Sequence, residues 1–109
     1  MHFSLSEDNI NNCIRVDIKD ITDKKNEKKK NKITLFLDKW KEQYDKKQYF
    51  SFIIDTSYLS SPSVKDCYKA IKFIRKIKKE KTQYLNYSVI VITSYHVRNV
   101  LFYIFKKLL

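Results

Sequence analysis

The most informative absence in this sequence of 109 residues is glycine, which does not occur at all. Phosphate-binding loops of the Walker A and dinucleotide-binding types need glycines, because their backbone N–H groups must approach the phosphates closely. The nucleophile elbow of α/β-hydrolases and the calcium loop of EF-hands also require glycine. These sites are therefore excluded in their standard form, and we expect Asn, Asp and Ser to form the tight turns.

Long apolar runs and paired cysteine motifs are also missing. No run approaches the roughly 18 residues of a membrane span, and residues 1–12 lack the apolar core of a signal peptide. Cys13 and Cys67 do not have the spacing of a zinc site. We interpret them as reduced, buried thiols, which indicates a cytoplasmic location. The sequence suggests no metal ion and no other cofactor.

Positive charge is abundant, but lysine supplies most of it. The chain has 23 basic and 12 acidic residues, a formal net charge of +11, and its only arginines are Arg15, Arg75 and Arg98. A basic chain attracts nucleic acid, whereas dedicated nucleic-acid readers favour arginine for bidentate contacts. Lys, Ile, Asn and Tyr have AT-rich codons, so codon bias in an AT-rich genome is an alternative origin of the charge.

Apolar patterning predicts four β-strands. Apolar and polar residues alternate at residues 2–6 and 13–20, which predicts two half-buried strands that pair antiparallel. Residues 49–54 and 88–93 are nearly continuous apolar runs. Such runs are typical of strands that helices cover on both faces. We expect these two to be neighbouring, parallel strands joined by a helix.

Three stretches have helical periodicity, at residues 32–47, 62–81 and 95–109. Asn31 and Ser94 are predicted to cap the first and last of these helices. The predicted fold class is therefore a single α/β domain with the order β-β-α-β-α-β-α. Its four-stranded mixed sheet has helices packed on it and is parallel in its later half.

The start of the second helix has two candidate capping registers. Ser61 as N-cap, with Pro62 at the first helical position, is a strong helix start. Ser63 with Asp66 three residues later offers a competing register. We favour the first, so Ser61→Ala is expected to lower stability by about 1 kcal/mol.

Residues 24–31 are dominated by charge, with five lysines between positions 24 and 30. We interpret this run as a mobile, solvated connection inside a single domain of residues 1–109. A basic arm that grips nucleic acid is the alternative.

The Ser-rich loop, residues 55–63, is the most suggestive candidate site. Ligands of open α/β sheets bind beyond the carboxyl ends of the strands, and this loop leads into a helix N-terminus that favours anions. The alternative is that its hydroxyls only cap the helix and close a glycine-free turn. The candidate phosphoacceptor or ligand residues are Asp55, Thr56, Ser57, Ser60, Ser61 and Ser63.

A second candidate surface is the lysine stripe, defined as Lys65, Lys69, Lys72, Lys76 and Lys79. Their spacings of 4, 3, 4 and 3 place these side chains on one helix face. We interpret the stripe as a docking face for an acidic protein and, less favoured, for a phosphate backbone; a solvated helix face is the alternative. The extra apolar residues Phe102 and Tyr103 on the last helix leave a homodimer open.

No catalytic constellation is evident. His96 lacks a neighbouring partner in the sequence, and general-base catalysis needs an oriented ring. Asp55 is alone at its strand end, whereas receiver-like phosphoacceptor sites use a cluster of carboxylates around Mg²⁺. We therefore expect a protein that is not an enzyme, with a degenerate receiver- or hydrolase-like enzyme as a further alternative.

The apolar strand ending in Asp55, the serine-rich turn, the amphipathic helix, the second apolar strand and the final helix resemble the STAS domain. This is the fold of anti-sigma-factor antagonists and of the cytoplasmic tails of sulfate transporters. The resemblance covers residues 13–109 as architecture, and residues 52–57 with the following serines as motif.

In STAS domains a serine at the N-terminus of the helix after the central strand is phosphorylated by a partner kinase. The nearest counterparts here are Ser60 and Ser61, although no acidic residue precedes the pair and Pro62 replaces the family's glycine. The resemblance implies a regulatory or scaffold module that binds proteins and is phosphoregulated at the Ser-rich loop. A basic nucleic-acid-associated protein is the alternative function.

Overall fold

A computed structural model describes residues 1–20 and 32–108 of the chain. The α/β class and the order of elements are those predicted from the sequence. The charged residues 24–31 and the predicted cap Asn31 lie outside the described residues. The elements are β1 (His2–Asp8), β2 (Cys13–Lys19), α1 (Ile33–Asp45), β3 (Phe50–Asp55), α2 (Val64–Ile77), β4 (Leu85–Val91) and α3 (Tyr95–Leu108).

The four strands form one sheet in the order β1-β2-β3-β4. β1 pairs antiparallel with β2, with His2 opposite Lys19 and Asp8 opposite Cys13. β3 lies parallel to β2, and β4 lies parallel to β3. The predicted antiparallel first pair and parallel last pair are both confirmed. β1 and β4 are the two edge strands of this sheet.

Helices α1 and α2 pack on one face of the sheet, called the core face here. Phe36 and Trp40 of α1 contact Phe52 of β3, with ring centroids 5.0 and 5.2 Å from the Phe52 ring. α3 packs against α2, where Ile104 and Ile71 belong to one buried cluster. Trp40 is only 6% exposed, so it belongs to the core.

The other face of the sheet, called the open face here, corrects one prediction. The apolar run of β4 was expected to be covered on both faces, yet Tyr87 is 57% exposed, Val89 47% and Val91 37%. The register places Val89 beside Ile53 and Val91 beside Asp55. These side chains are exposed because β4 is an edge strand and because the described helices that contact the sheet do so on the core face.

α2 is shorter than the predicted helix, and β4 begins earlier than the predicted strand. The side chain of Gln83 binds carbonyl groups at and after the end of α2, which lack partners inside the helix. Gln83 Nε2 donates to the carbonyl oxygen of Ile77 at 3.1 Å and to that of Glu80 at 2.9 Å. The chain then enters β4 at Leu85, three residues before the predicted start.

Two residues other than glycine adopt left-handed backbone angles. Asn12, with φ of 50°, closes the β1–β2 hairpin, in which the Asp8 carboxylate accepts the N–H of Ile10 at 3.0 Å. This agrees with the expectation that Asn and Asp form the turns. Lys47, with φ of 55°, follows the end of α1, where glycine is the common residue. The sequence does not signal this use of lysine.

Replacing Lys47 by glycine is expected to raise the free energy of unfolding by about 0.5–1 kcal/mol. Glycine adopts this backbone angle without the Cβ clash that costs other residues about 1–2 kcal/mol, less its own entropy cost. Lys46→Gly is the matched control, since Lys46 has an ordinary φ of −79° and should lose stability. Urea unfolding measures both, and destabilisation of both variants to the same extent would contradict strain at Lys47.

Candidate functional site

The carboxylate of Asp55, at the end of β3, is paired with an arginine of the neighbouring strand. Nη2 of Arg15 donates to Oδ2 of Asp55 at 2.5 Å, and Nε of Arg15 donates to Oδ1 of Asp17 at 3.1 Å. The N–H of Ser57 donates to Oδ1 of Asp55 at 2.9 Å. Hydrogen bonds from Ser57, followed by the charge of Arg15, lower the pKa of Asp55. Asp55 therefore acts as a neutralised anion that orders the start of the Ser-rich loop.

The middle of the Ser-rich loop binds the carboxylate of Asp20, which follows β2. The N–H of Ser60 lies 3.1 Å from both carboxylate oxygens, and the N–H of Ser61 lies 3.1 Å from Oδ1. Oγ of Ser60 donates to Oδ2 at 2.6 Å. These bonds, the Ser60 hydroxyl first, lower the pKa of Asp20. The donors that were expected to favour an anion thus already hold one, supplied by this chain.

Sequence reasoning missed Asp20, although one signal was present. Asp20 directly follows β2, which is parallel to β3, and the carboxyl ends of parallel neighbours lie at the same edge of a sheet. The Ser-rich loop follows β3 at that edge. A carboxylate after β2 therefore comes within reach of the loop, even though it is separated from Ser60 by 40 positions.

Ser63, and not Ser61, caps α2. Oγ of Ser63 accepts the N–H of Asp66 at 3.2 Å, and α2 begins at Val64. The favoured register with Ser61 as cap is therefore wrong, and the competing register is correct. The physical reason is that Asp20 holds the backbone N–H of Ser61, which fixes this part of the loop before the helix starts.

Thr56 completes the loop as a structural residue. It is buried, and its Oγ1 donates to the carbonyl oxygen of Val91 at 2.7 Å. The loop therefore has contacts to the ends of β2, through Asp20, and β4, through Val91. The six predicted residues do lie in one loop, and most of their polar groups hold the loop in place.

The predicted lysine stripe is fully on the surface. Its first four lysines lie on α2, while Lys79 follows the end of the helix at Ile77. All five side chains are exposed. In the described part of the chain, the ion pairs are made by Arg15, Lys39 and Lys46, so the stripe is not neutralised by a described carboxylate.

The two edge strands of the sheet differ in charge. β4 has the sequence LNYSVIV, without a charged residue or proline. β1 carries Glu7 and Asp8, and Lys39 of α1 forms an ion pair with Glu7. Natural proteins commonly protect sheet edges with charges, prolines or bulges, because the unpaired backbone groups of an edge template further pairing. β4 lacks the first two of these protections, but its register with β3 shifts between Leu85 and Ser88, as at a bulge. An apolar run in the sequence does not reveal that the strand lies at an edge.

α3 presents a smaller apolar surface. Phe102 and Tyr103 are both exposed, and the guanidinium of Arg98 lies 5.3 Å from the Phe102 ring centroid. Ser94 caps the helix as predicted, accepting the N–H of Val97 at 3.3 Å. His96 is exposed in the first turn.

A large apolar cavity lies between α2 and the core face. Its volume is about 630 Å³, and it is partly open to solvent. The sheet contributes Phe52, Ile54 and Ile90 to its walls, and the helices contribute Trp40, Ile74 and Leu101, among others. Among the described residues, the polar side chains that line it are Trp40, Tyr44, Thr56, Asp66, Lys78, Gln83 and Ser88.

The cavity is open to solvent where Lys78, Ser88 and Ile90 are exposed. Its walls offer water few free polar partners. Thr56 already donates to Val91, and the Gln83 side-chain oxygen accepts the hydroxyl of Tyr44 at 2.7 Å. The cavity is therefore suited to an apolar occupant.

Two of the side chains that line the cavity, Trp40 and Cys67, have unusual surroundings. Trp40 lines it, and the buried indole N–H of Trp40 has no hydrogen-bond acceptor among the described residues. Cys67 also lines it, and burial raises the pKa of this thiol. Cys13 and Cys67 are both free, as expected, but only Cys67 is fully buried.

Within residues 1–20 and 32–108, no group of three or more His, Cys, Asp and Glu side chains is arranged to hold a metal ion. None of the described helices is long and apolar enough to span a membrane. Comparisons with protein-family models, with curated proteins and with solved structures each return no match to this chain. The fold defines the class, a small α/β domain with a four-stranded mixed sheet.

Ser63→Ala is expected to lower the free energy of unfolding by about 1 kcal/mol, because the N-cap bond to Asp66 is lost. Ser61→Ala is the matched control: its backbone N–H still reaches Asp20, and its hydroxyl makes no hydrogen bond with a described residue. Thermal or urea unfolding distinguishes the two. Equal losses in both variants would contradict the assignment of the cap to Ser63.

Asp20→Asn is expected to lower the unfolding midpoint at pH 7. The pKa of Asp20 is lowered in the folded state, so its stabilisation is present above the unfolded-state pKa and is lost as pH falls through the folded-state value. The difference between wild type and variant should therefore be smaller at about pH 3, below the ordinary pKa of an Asp, than at pH 7. Asp45→Asn, at an exposed position, controls for the loss of one negative charge. A difference that is the same at both pH values would refute the role of the Asp20 carboxylate.

Proposed function

We propose that this chain is a non-catalytic protein-interaction module of STAS-like type, with a regulatory or scaffold role. The observation that carries the proposal is the uncharged edge strand β4, which exposes Tyr87, Val89 and Val91 on the open face. An extended segment of a partner can add to such an edge through main-chain hydrogen bonds. It would also cover the apolar side chains that β4 leaves exposed.

Charge supports an acidic partner. Residues 49–109 contain 11 basic and 3 acidic residues, a formal charge of +8, and the whole lysine stripe is exposed. Complementary charge speeds association and selects partners, while two copies of a chain with net charge +11 repel one another. The observations therefore favour an acidic protein over a homodimer.

Phosphoregulation at the Ser-rich loop belongs to the same proposal. The Ser60 hydroxyl donates to Asp20 at 2.6 Å, so a phosphate on Ser60 would face a carboxylate of like charge. Modification of Ser60 would then release the loop from Asp20. A phosphate that paired with a nearby cation would instead hold the loop more tightly.

A basic nucleic-acid-associated protein is the second candidate, supported by the exposure of all five lysines of the stripe. Retention on a nucleic-acid column that survives about 200 mM salt would favour this candidate, since counterion release weakens non-specific contacts steeply. The enzyme alternative has less support, because Arg15 neutralises Asp55.

Val89→Lys is expected to abolish partner capture, because it places a charge in the middle of the uncharged edge strand. Ser4→Lys is the matched control, on the other edge strand and opposite Asp17. Affinity capture from the source cell with wild type and both variants, followed by mass spectrometry, makes the comparison. We expect an acidic protein that wild type and Ser4→Lys retain and Val89→Lys loses. An unchanged set of proteins with the correctly folded Val89→Lys variant would refute the proposed role of β4.

A further inference from the structure

We propose that the cavity beneath α2 binds a single fatty-acid chain, with its carboxylate at Lys78 and its tail running along α2 toward Asp66. The proposed function concerns the edge and the open face of β4, whereas Ser88 and Ile90 of the same strand line this cavity. Partner capture and fatty-acid binding are measured separately, so failure of one proposal is distinguishable from failure of the other.

The cavity has the dimensions of such a chain. Its volume of about 630 Å³ falls within the roughly 300–1,000 Å³ that is usual for small-molecule sites. The α2 side of its lining runs from Asp66 to Lys78, which at 1.5 Å per residue is about 18 Å. An extended chain of about 14 carbons, at about 1.25 Å per carbon from standard bond geometry, has the same length.

Polarity along the cavity sets the direction of the chain. Lys78, at one end of α2, is exposed and cationic, and the exposed Lys79 and Lys81 follow it closely in the sequence. Asp66, near the other end of α2, would repel a carboxylate. The exposed lining residues are Lys78, Gln83, Ser88 and Ile90, so the opening runs along β4 from the end of α2. Lys78 is the only cationic side chain among the described lining residues, so the head group belongs beside it.

The interior is suited to the tail of a lipid and not to a polar metabolite. Thr56 and Gln83 already use their side-chain groups in bonds to the protein. The remaining walls are aliphatic and aromatic, and burying each methylene of a tail there is favourable.

The test uses the intact chain and cis-parinaric acid, a fluorescent fatty acid that accepts energy from tryptophan. Trp40 is the only tryptophan and lines the cavity. We expect saturable, one-to-one energy transfer from Trp40, which myristate displaces by competition. Bound myristate should also slow the reaction of Cys67 with a thiol reagent, while Cys13, which does not line this cavity, reacts at its usual rate. Transfer that does not saturate would overturn the proposal, because it would indicate adsorption to surface lysines.

Ala70→Leu fills part of the cavity and is expected to weaken binding at least about tenfold while raising the unfolding midpoint. Lys69→Leu is the matched control, the same new side chain one position earlier on the exposed face of α2, and should leave affinity within twofold or so. Should Ala70→Leu not fold, Ser88→Leu narrows the cavity from β4. Unchanged binding in the folded cavity-filling variant would overturn the proposal.

Two further measurements test the role of Lys78 at the head group and whether the fatty acid is bound as a free molecule or as part of a membrane. Lys78→Gln should weaken myristate binding and leave tetradecanol binding unchanged, since only the acid carries the charge that Lys78 pairs with. Equal effects on both would overturn the assigned orientation. The last measurement is binding of the protein to vesicles of phosphatidylcholine with phosphatidylglycerol. Binding to vesicles without binding of monomeric myristate would overturn the proposal in favour of a membrane surface.

Discussion

The contact between Phe52 and the two aromatic side chains of α1 is the interaction on which the rest of the structure depends. Phe52 is fully buried and belongs to the central pair of strands. Phe36 and Trp40 hold α1 close to it, and such aromatic contacts contribute about 0.5–1.5 kcal/mol each beyond the area that they bury. α1 is therefore fixed over the centre of the sheet.

The same aromatic residues form part of the cavity wall. Phe3, Trp40 and Phe52 belong to the buried cluster, and they line the cavity together with residues of α2 and β4. β4 is exposed toward the open face and lines the cavity on the core face through Ile90. The cavity and the exposed edge strand are therefore neighbouring features of one side of the sheet.

The local pattern of apolar and polar residues was sufficient to predict the helices and strands, but not the contacts between residues far apart in the sequence. Alternation at Ile14 and Val16, and the βαβ order, predicted the strands and their directions correctly. The pairs Arg15–Asp55 and Asp20–Ser60 join residues 40 positions apart, and no short-range pattern encodes them. An apolar run reads the same in a covered strand and in an edge strand, so the exposure of Val89 was not predictable. The cavity depends on the spacing between α2 and the sheet, which side-chain periodicity does not determine.

The difference between the two edges of the sheet also limits how far an assembly can grow. β1 ends in Glu7 and Asp8, whereas β4 is neutral along its whole length. A strand added under the proposed function would therefore use the one uncharged edge of the sheet. Growth into a fibre needs two receptive edges on each subunit. The charges on β1 would then limit sheet extension to one partner for each domain.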